Sequence, residues 1–79
     1  MFKDLQQIKV NELRLWHDML EDAKLRKGAP DYYQAALRTH VEVLERLGVI
    51  STQECFDLKR QADEAYAQTR ETLENDSIR

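Results

Sequence analysis

Basic and aromatic residues cluster around residues 24 to 33, and this set is the one best suited to binding a ligand. Its members are Lys24, Arg26, Lys27, Tyr32 and Tyr33. Cations attract phosphate and aromatic rings stack on bases, so the combination is typical of surfaces that grip nucleotides. A solvated helix end with Tyr33 tucked inward explains the same residues. The set therefore predicts, as an alternative function, a site for a nucleotide or another small anion.

Two histidines and one cysteine are the residues of the sequence best suited to bind zinc. His17, His40 and Cys55 would supply three of the four ligands that zinc prefers, but no two of them stand at a short ligand spacing. For His40, a buried imidazole bonded to a carboxylate or a backbone carbonyl is a commoner arrangement. We expect neither a metal nor another cofactor.

Cys55 is the one residue whose position favours a nucleophile. The first turn of a helix lowers a thiol pKa, but the adjacent Glu54 and Asp57 act in the opposite direction. The sequence contains no glycine-rich phosphate loop and no nucleophile elbow. We therefore expect Cys55 to be a packing residue and the protein not to be an enzyme.

Length and composition indicate a single small helical domain over residues 1–79. The chain has two glycines, one proline and 34% charged residues, without the alternation typical of strands. One cysteine excludes an internal disulfide and suits a reducing cytoplasm. No apolar run approaches the length of a membrane span, so we expect a cytoplasmic protein that does not associate with a membrane. A net charge of −3 makes binding to nucleic acid unfavourable.

The apolar periodicity predicts an all-α array of three helices, at about 4–27, 30–47 and 52–74, with 75–79 frayed. In helix 1 the buried row is Leu5, Ile8, Leu15, Trp16, Met19 and Ala23, with a second row of Leu13, Trp16 and Leu20 beside it. In helix 2 a heptad seam runs through Tyr33, Leu37, His40, Leu44 and Leu47, and Tyr32, Ala36, Val41 and Val43 broaden it. In helix 3 the inward stripe is Cys55, Leu58, Ala62, Ala65, Thr69 and Leu73.

The corner between the second and third helices has the most specific local chemistry. Gly48 suits the left-handed position that ends a helix, which pairs Leu44 with Val49 in a Schellman motif. Ser51 and Glu54 form the capping box S-x-x-E at the start of the next helix. The segment from 44 to 55 therefore predicts a rigid helical hairpin.

A DNA-binding helix-turn-helix is an alternative interpretation of this corner. The buried positions of its recognition helix would fall on Glu54 and Asp57, which are charged. Residues 51–79 carry four basic and seven acidic side chains, and this balance repels phosphate. Transcriptional regulation is therefore the third-ranked function.

The corner resembles the short helical-hairpin modules found at the ends of many bacterial proteins, the SHOCT type. The matching residues are Leu44, Gly48, Ile50, Ser51, Glu54, Phe56 and Lys59. Cys55 stands where that pattern has its aromatic residue, and Phe56 comes one position later. The resemblance covers about a fifth of the chain and implies association or docking.

Helices 1 and 2 are similar to short accessory proteins of tailed phages and prophages. Leu13 to His17, LRLWH, followed by His40 in the next helix, carries the likeness. It implies a modulator that binds a host protein and supplies no catalytic residue.

The unequal helix lengths predict apolar ends that one copy of the chain leaves uncovered. At 1.5 Å per residue, helices 1 and 3 would span roughly 35 Å and helix 2 roughly 27 Å. A homodimer would cover the overhang economically, because twofold assemblies are the commonest. The predicted interface is Leu5, Ile8, Leu13, Trp16, Leu20, Tyr66 and Leu73. The leading prediction is a non-enzymatic protein–protein interaction module that associates with itself and occupies a host protein's surface.

Overall fold

The computed structural model describes the backbone of residues 5–78 and the side chains of residues 5–73. Its helices are α1 (Leu5–Leu20), α2 (Ala23–Gly28), α3 (Pro30–Arg46) and α4 (Thr52–Ile78). The described backbone contains no strand, so the all-α prediction is confirmed. Residue 4, the predicted start of the first helix, lies outside the described part.

The predicted first helix is in fact two helices, so the three-helix count was wrong. Asp22 ends α1 because its N–H donates to the carbonyl of Met19, and its side chain accepts from the N–H of Leu25 at 3.0 Å. An aspartate that bonds a backbone N–H three residues ahead is an N-cap, and capping starts a new helix instead of continuing the old one. Sequence periodicity did not detect this break, because Leu20 and Ala23 keep the apolar rhythm across it.

The corner between α3 and α4 has the predicted geometry. Gly48 has a φ of +78°, and the N–H groups of Gly48 and Val49 donate to the carbonyls of Glu45 and Leu44. These two bonds are the pair that defines a Schellman ending. The Ser51 hydroxyl accepts from the N–H of Glu54 at 3.0 Å, and the Glu54 carboxylate accepts from the N–H of Ser51 at 2.8 Å. The Schellman ending and the capping box are both confirmed.

Hydrogen bonds fix the register of three antiparallel helices. Along α1 and α3, the Glu12 carboxylate contacts His40, and the Trp16 Nε1–H donates to the Leu37 carbonyl. Along α3 and α4, Arg38 forms an ion pair with Asp63 at 2.8 Å. Both α1 and α4 therefore lie alongside α3, Lys9 of α1 pairs with Glu54 at the start of α4 at 2.6 Å, and the short α2 closes the end nearest the start of α3.

The core lies where these helices meet. Its buried apolar residues are Trp16, Tyr33, Leu37, Val41, Leu44, Ile50, Cys55, Leu58 and Ala62. The predicted seam of α3 is correct at Tyr33, Leu37 and Leu44 but wrong at Leu47, which is 67% exposed. Val41 takes a central place instead, because α4 packs on the Val41 side of α3 and not on the Leu47 side.

Helix α4 is longer than the sequence pattern predicts. Its backbone continues through residues 75–78, which were expected to fray, while residue 79 lies outside the described part.

The chain has a radius of gyration of 14.4 Å, against about 12 Å for a compact chain of this length. Among the described residues, no helix combines the length and apolarity that crossing a bilayer requires.

Candidate interaction surface

Trp16 belongs to the core of the single chain, so its assignment to a partner interface was wrong. Its side chain is fully buried, and its indole N–H donates to the Leu37 carbonyl at 2.9 Å. A side chain without exposed surface cannot anchor a second molecule unless the core opens. The neighbouring His17 is exposed, with its ring 5.1 Å from the indole in an edge-to-face arrangement.

An exposed apolar surface extends along α1 and α3 on the side that faces away from α4. Helical periodicity places Ile8 and Leu15 on the row of Glu12, and it places Val43 and Leu47 on the row of His40. Because Glu12 and His40 are in contact, the two rows lie side by side. We name this surface the outer face; it consists of Ile8, Glu12, Leu15, Tyr32, Ala36, His40, Val43 and Leu47.

The outer face holds five of the eight large apolar side chains that are exposed in the described part of the chain. They are Ile8 (45% exposed), Leu15 (58%), Tyr32 (63%), Val43 (37%) and Leu47 (67%). Leu5, which is 57% exposed, extends the surface by one helical turn at the corner end. Isolated exposed apolar residues are ordinary, whereas a contiguous set indicates a binding surface.

A glutamate and a histidine, Glu12 and His40, contact each other in the middle of the outer face. A distance of 2.8 Å separates Glu12 Oε1 from His40 Nε2, and both side chains are partly shielded from water. The carboxylate therefore already has a partner within the chain. This local pairing lowers the cost of covering the outer face, because neither group is left without a hydrogen bond.

The surface where α4 lies along α3 has the opposite character. Arg38 pairs with Asp63 at 2.8 Å, and Lys59 pairs with Glu42 at 2.9 Å. The hydrogen bond from Lys59 lowers the pKa of Glu42, and Glu42 in turn raises the pKa of Lys59. This side is therefore a polar, solvated surface, whereas the outer face is mainly apolar.

The remaining predicted interface residues fall into different environments. Leu13 and Leu20 are partly buried and pack against the core. Tyr66 donates its hydroxyl to Asp31 at 2.6 Å, and this bond raises the Tyr66 pKa. Leu73 is half-buried beside Arg26, at the far end of α4. Of the predicted set, only Leu5 and Ile8 are strongly exposed.

Besides Ile8, which was also predicted for an interface, four apolar residues of the outer face were predicted for buried rows and are exposed: Leu15, Tyr32, Val43 and Leu47. Their three- and four-residue spacing was visible, and it identified an apolar row correctly. The spacing does not predict on which side of α3 the helix α4 packs. With four helices and one core, an apolar row that no neighbouring helix covers becomes surface.

The structure divides the predicted anion-binding set. Tyr33 is fully buried and its hydroxyl donates to the Leu20 carbonyl, so it cannot stack on a base. Burial is the main cause of the raised Tyr33 pKa, and the nearby Arg26 guanidinium acts in the other direction. Tyr32 and Lys24 are exposed, and Tyr32 belongs to the outer face. Arg26 and Lys27 instead line a cavity with residues of α4.

The histidines and the cysteine are not brought together. His17 Nδ1 lies 2.9 Å from the Leu13 carbonyl, and Cys55 is buried with its Sγ directed at the Val41 carbonyl. Burial is the main cause of the raised pKa of the Cys55 thiol, and a hydrogen bond with Glu45 adds to it. In the part of the chain that the structure describes, no group of three His, Cys, Asp or Glu side chains is arranged to hold a metal.

Comparisons with protein-family models, with curated proteins and with solved structures return no match to this chain.

Proposed function

We propose that the protein is a non-enzymatic interaction module whose outer face on α1 and α3 packs against another helical surface. The observation that carries this proposal is the contiguous set of exposed apolar residues Ile8, Leu15, Val43 and Leu47. A chain of 79 residues buries a modest share of its apolar surface, so covering more of it in a complex is favourable.

The occupant that fits this surface best is a second copy of the chain. Helices α1 and α3 form a layer of two antiparallel helices, and two such layers stacked face to face make a four-helix arrangement. A twofold axis parallel to the helices would place α1 of one copy against α3 of the other. Leu15 would then lie near the smaller Ala36 and Thr39 of the second copy, while Ile8 would lie near Val43.

Charge also favours a second copy over a strongly charged partner. The charged or ionisable members of the outer face, Glu12 and His40, contact each other at 2.8 Å. Because the Glu12 carboxylate already has a hydrogen-bond partner within the chain, this face selects partners mainly by shape and apolar contact. The exposed acidic residues that give the chain its negative charge lie mainly on other surfaces, so they do not prevent two copies from meeting.

Sedimentation equilibrium over a wide range of protein concentration tests this proposal. We expect a monomer–dimer equilibrium whose midpoint lies in the micromolar range or below. A strict monomer at high micromolar concentration would contradict the self-association.

The resemblance to phage accessory proteins extends the same proposal to a host protein as a second partner. A helical host surface would compete with the second copy for the outer face. Capture of one host protein by the wild-type chain, and not by a chain with a charged outer face, would support this role. Binding that ignores the substitution would contradict it.

Neither alternative function has comparable support. In a DNA-binding helix-turn-helix, the two helices cross at about 90–120°. Here α4 runs antiparallel to α3. The Cys55 thiol lies at the Val41 carbonyl near the corner, and the Tyr66 hydroxyl bonds Asp31 at the start of α3. The nucleotide site around residues 24–33 loses the stacking contribution of Tyr33, which is in the core.

A further inference from the structure

A second feature of the chain, independent of the outer face, is a cavity between α2 and the distal part of α4. It measures about 220 Å³, and its lining residues are Arg26, Lys27, Gln68, Thr69, Thr72 and Leu73. We infer that this cavity binds a phosphate group. Among the residues whose side chains the structure describes, the lining contains two cations, two hydroxyls and an amide, and no carboxylate.

Arg26 supplies the first observation that points to an anion. Its Nη1 donates to the Thr69 hydroxyl at 3.2 Å, so the guanidinium is held in place. Its Nε is buried and has no hydrogen-bond acceptor among the described residues. A buried N–H without an acceptor is unfavourable and calls for an explanation. Arg26 lines the adjacent cavity with its other atoms, so a phosphate there would accept from the remaining guanidinium donors and not from the shielded Nε.

Lys27 supplies a second, exposed cation at the cavity edge. No ion pair joins Arg26 or Lys27 to a carboxylate in the described part of the chain. The other basic cluster differs in this respect. There, a cavity of about 410 Å³ is lined by Arg38, Phe56, Lys59, Arg60 and Asp63. Its three cations pair with Asp63, Glu42 and Asp57, so their charge is already compensated.

Size and donor geometry favour a phosphate group over a larger or flatter ligand. The cavity is smaller than the roughly 300–1,000 Å³ of pockets that enclose a drug-sized molecule. It would therefore hold one phosphate group, with any attached group extending into solvent. Arginine binds phosphate through parallel N–H donors, and the hydroxyl of Thr69 lies beside it to reach another oxygen. A tetrahedral anion can accept from donors on two helices, which a planar carboxylate matches less well.

Titration of the full chain with inorganic phosphate, followed in amide ¹H–¹⁵N spectra, tests the inference. Ionic strength is held constant with chloride, because surface charge responds to salt alone. We expect saturable shifts confined to α2 and to residues 68–73. A parallel titration with adenosine monophosphate distinguishes two sources of the group. Tighter binding than phosphate indicates a nucleotide, and equal binding indicates free phosphate or an unrelated ester.

Three variants make the test specific. Lys27→Gln and Arg26→Gln should each weaken phosphate binding roughly tenfold, since each removes a charge-assisted donor. Lys24→Gln is the matched control: Lys24 is also exposed on α2 but does not line the cavity. It should change the affinity less than twofold. Lys27 is exposed, so its substitution leaves the fold intact even where Arg26→Gln disturbs it.

Two results would overturn the inference. One is the absence of saturable shifts at these residues with millimolar phosphate. The other is an equal loss of affinity in Lys24→Gln and Lys27→Gln, which would mean general attraction to a basic surface and not a site.

Discussion

The indole N–H of Trp16 donates to the carbonyl of Leu37 at 2.9 Å, and this bond ties α1 to the middle of α3. The ring itself is fully buried, between the helix that carries the outer face and the α3–α4 hairpin. We expect Trp16→Phe to lower the free energy of unfolding by about 2 to 4 kcal/mol, because a hydrogen bond and packed volume are lost. Urea unfolding followed by circular dichroism measures this change.

An exposed aromatic residue provides the control for Trp16. Phe56 is 61% exposed on α4, so Phe56→Ala should change the free energy of unfolding by less than about 0.5 kcal/mol. Equal losses from the two substitutions would contradict the central place of Trp16. If a Trp16 variant assembles more weakly, the cause should be its smaller folded fraction. Its assembly should therefore equal that of the wild type when the two are compared at the same concentration of folded monomer.

The two glycines allow a matched test of the corner. Gly48 has a φ of +78°, while Gly28 ends α2, and a Cβ at either position would meet no atom within 4 Å. Gly48→Ala should therefore lower stability by about 1 kcal/mol through backbone conformation alone. Gly28→Ala should leave stability unchanged or raise it by up to about 1 kcal/mol, since alanine narrows the unfolded ensemble.

Thermal and urea unfolding of both glycine variants check this contrast. Equal effects at the two positions would mean that the left-handed conformation of Gly48 does not determine the corner.

Local chemistry and periodicity predicted much of this fold. The Schellman ending at Gly48 and the capping box of Ser51 and Glu54 follow from short-range rules, and the structure has both. The break at Asp22 was missed, because an aspartate inside an apolar rhythm is compatible with either a cap or a solvated helix position. Local patterns decide where helices end only when several signals agree.

The candidate surface was harder to predict than the fold. The spacing of Leu15, Val43 and Leu47 identifies apolar rows, but burial depends on which helix lies next to them. That choice is tertiary: α4 packs on the Val41 side of α3 through Cys55 and Leu58. Sequence reasoning therefore placed Leu15 in a buried row and Trp16 both in a buried row and in a partner interface, whereas the structure exposes Leu15 and buries Trp16 completely.

The decrease in the free energy of unfolding at acid pH should depend on Glu54. A hydrogen bond from Lys9 is the main cause of its lowered pKa, and the bond from the Ser51 backbone adds to it. Because the folded pKa lies below the unfolded value of about 4.3, Glu54 stabilises the fold above that pH. The contribution is lost as the pH falls through the folded pKa.

Glu54→Gln isolates this charge, because glutamine can keep the capping box. We expect the variant to lose stability less steeply than the wild type below about pH 5, as measured by urea unfolding at each pH. Glu64→Gln is the control, since Glu64 is an exposed glutamate farther along α4. An unchanged decrease at acid pH in Glu54→Gln would contradict the role of the Lys9 pair.

The thiol of Cys55 should report opening of the core. It is 3% exposed, and its raised pKa keeps it protonated at neutral pH, so it reacts slowly in the folded state. Alkylation at pH 8 should be roughly 100-fold slower or more in the native protein than in denaturant. This factor corresponds to an opening free energy of about 3 kcal/mol, a value expected for a small core. Comparable rates in both states would place the thiol at the surface.

The decisive test of the outer face compares two apolar residues on opposite sides of α1. Leu15 lies on the outer face and is 58% exposed, whereas Val10 is 53% exposed on the side that faces away from Leu15. Both substitutions to glutamate place a charge on a solvated helix surface, so each folded monomer should tolerate its change. In the dimer, Leu15→Glu would bury a carboxylate without a partner, which costs several kcal/mol. The dimer dissociation constant of Leu15→Glu should therefore rise by at least about 100-fold, while that of Val10→Glu should stay within twofold. Sedimentation equilibrium gives both constants, and equal constants for the two variants would show that the second copy binds elsewhere.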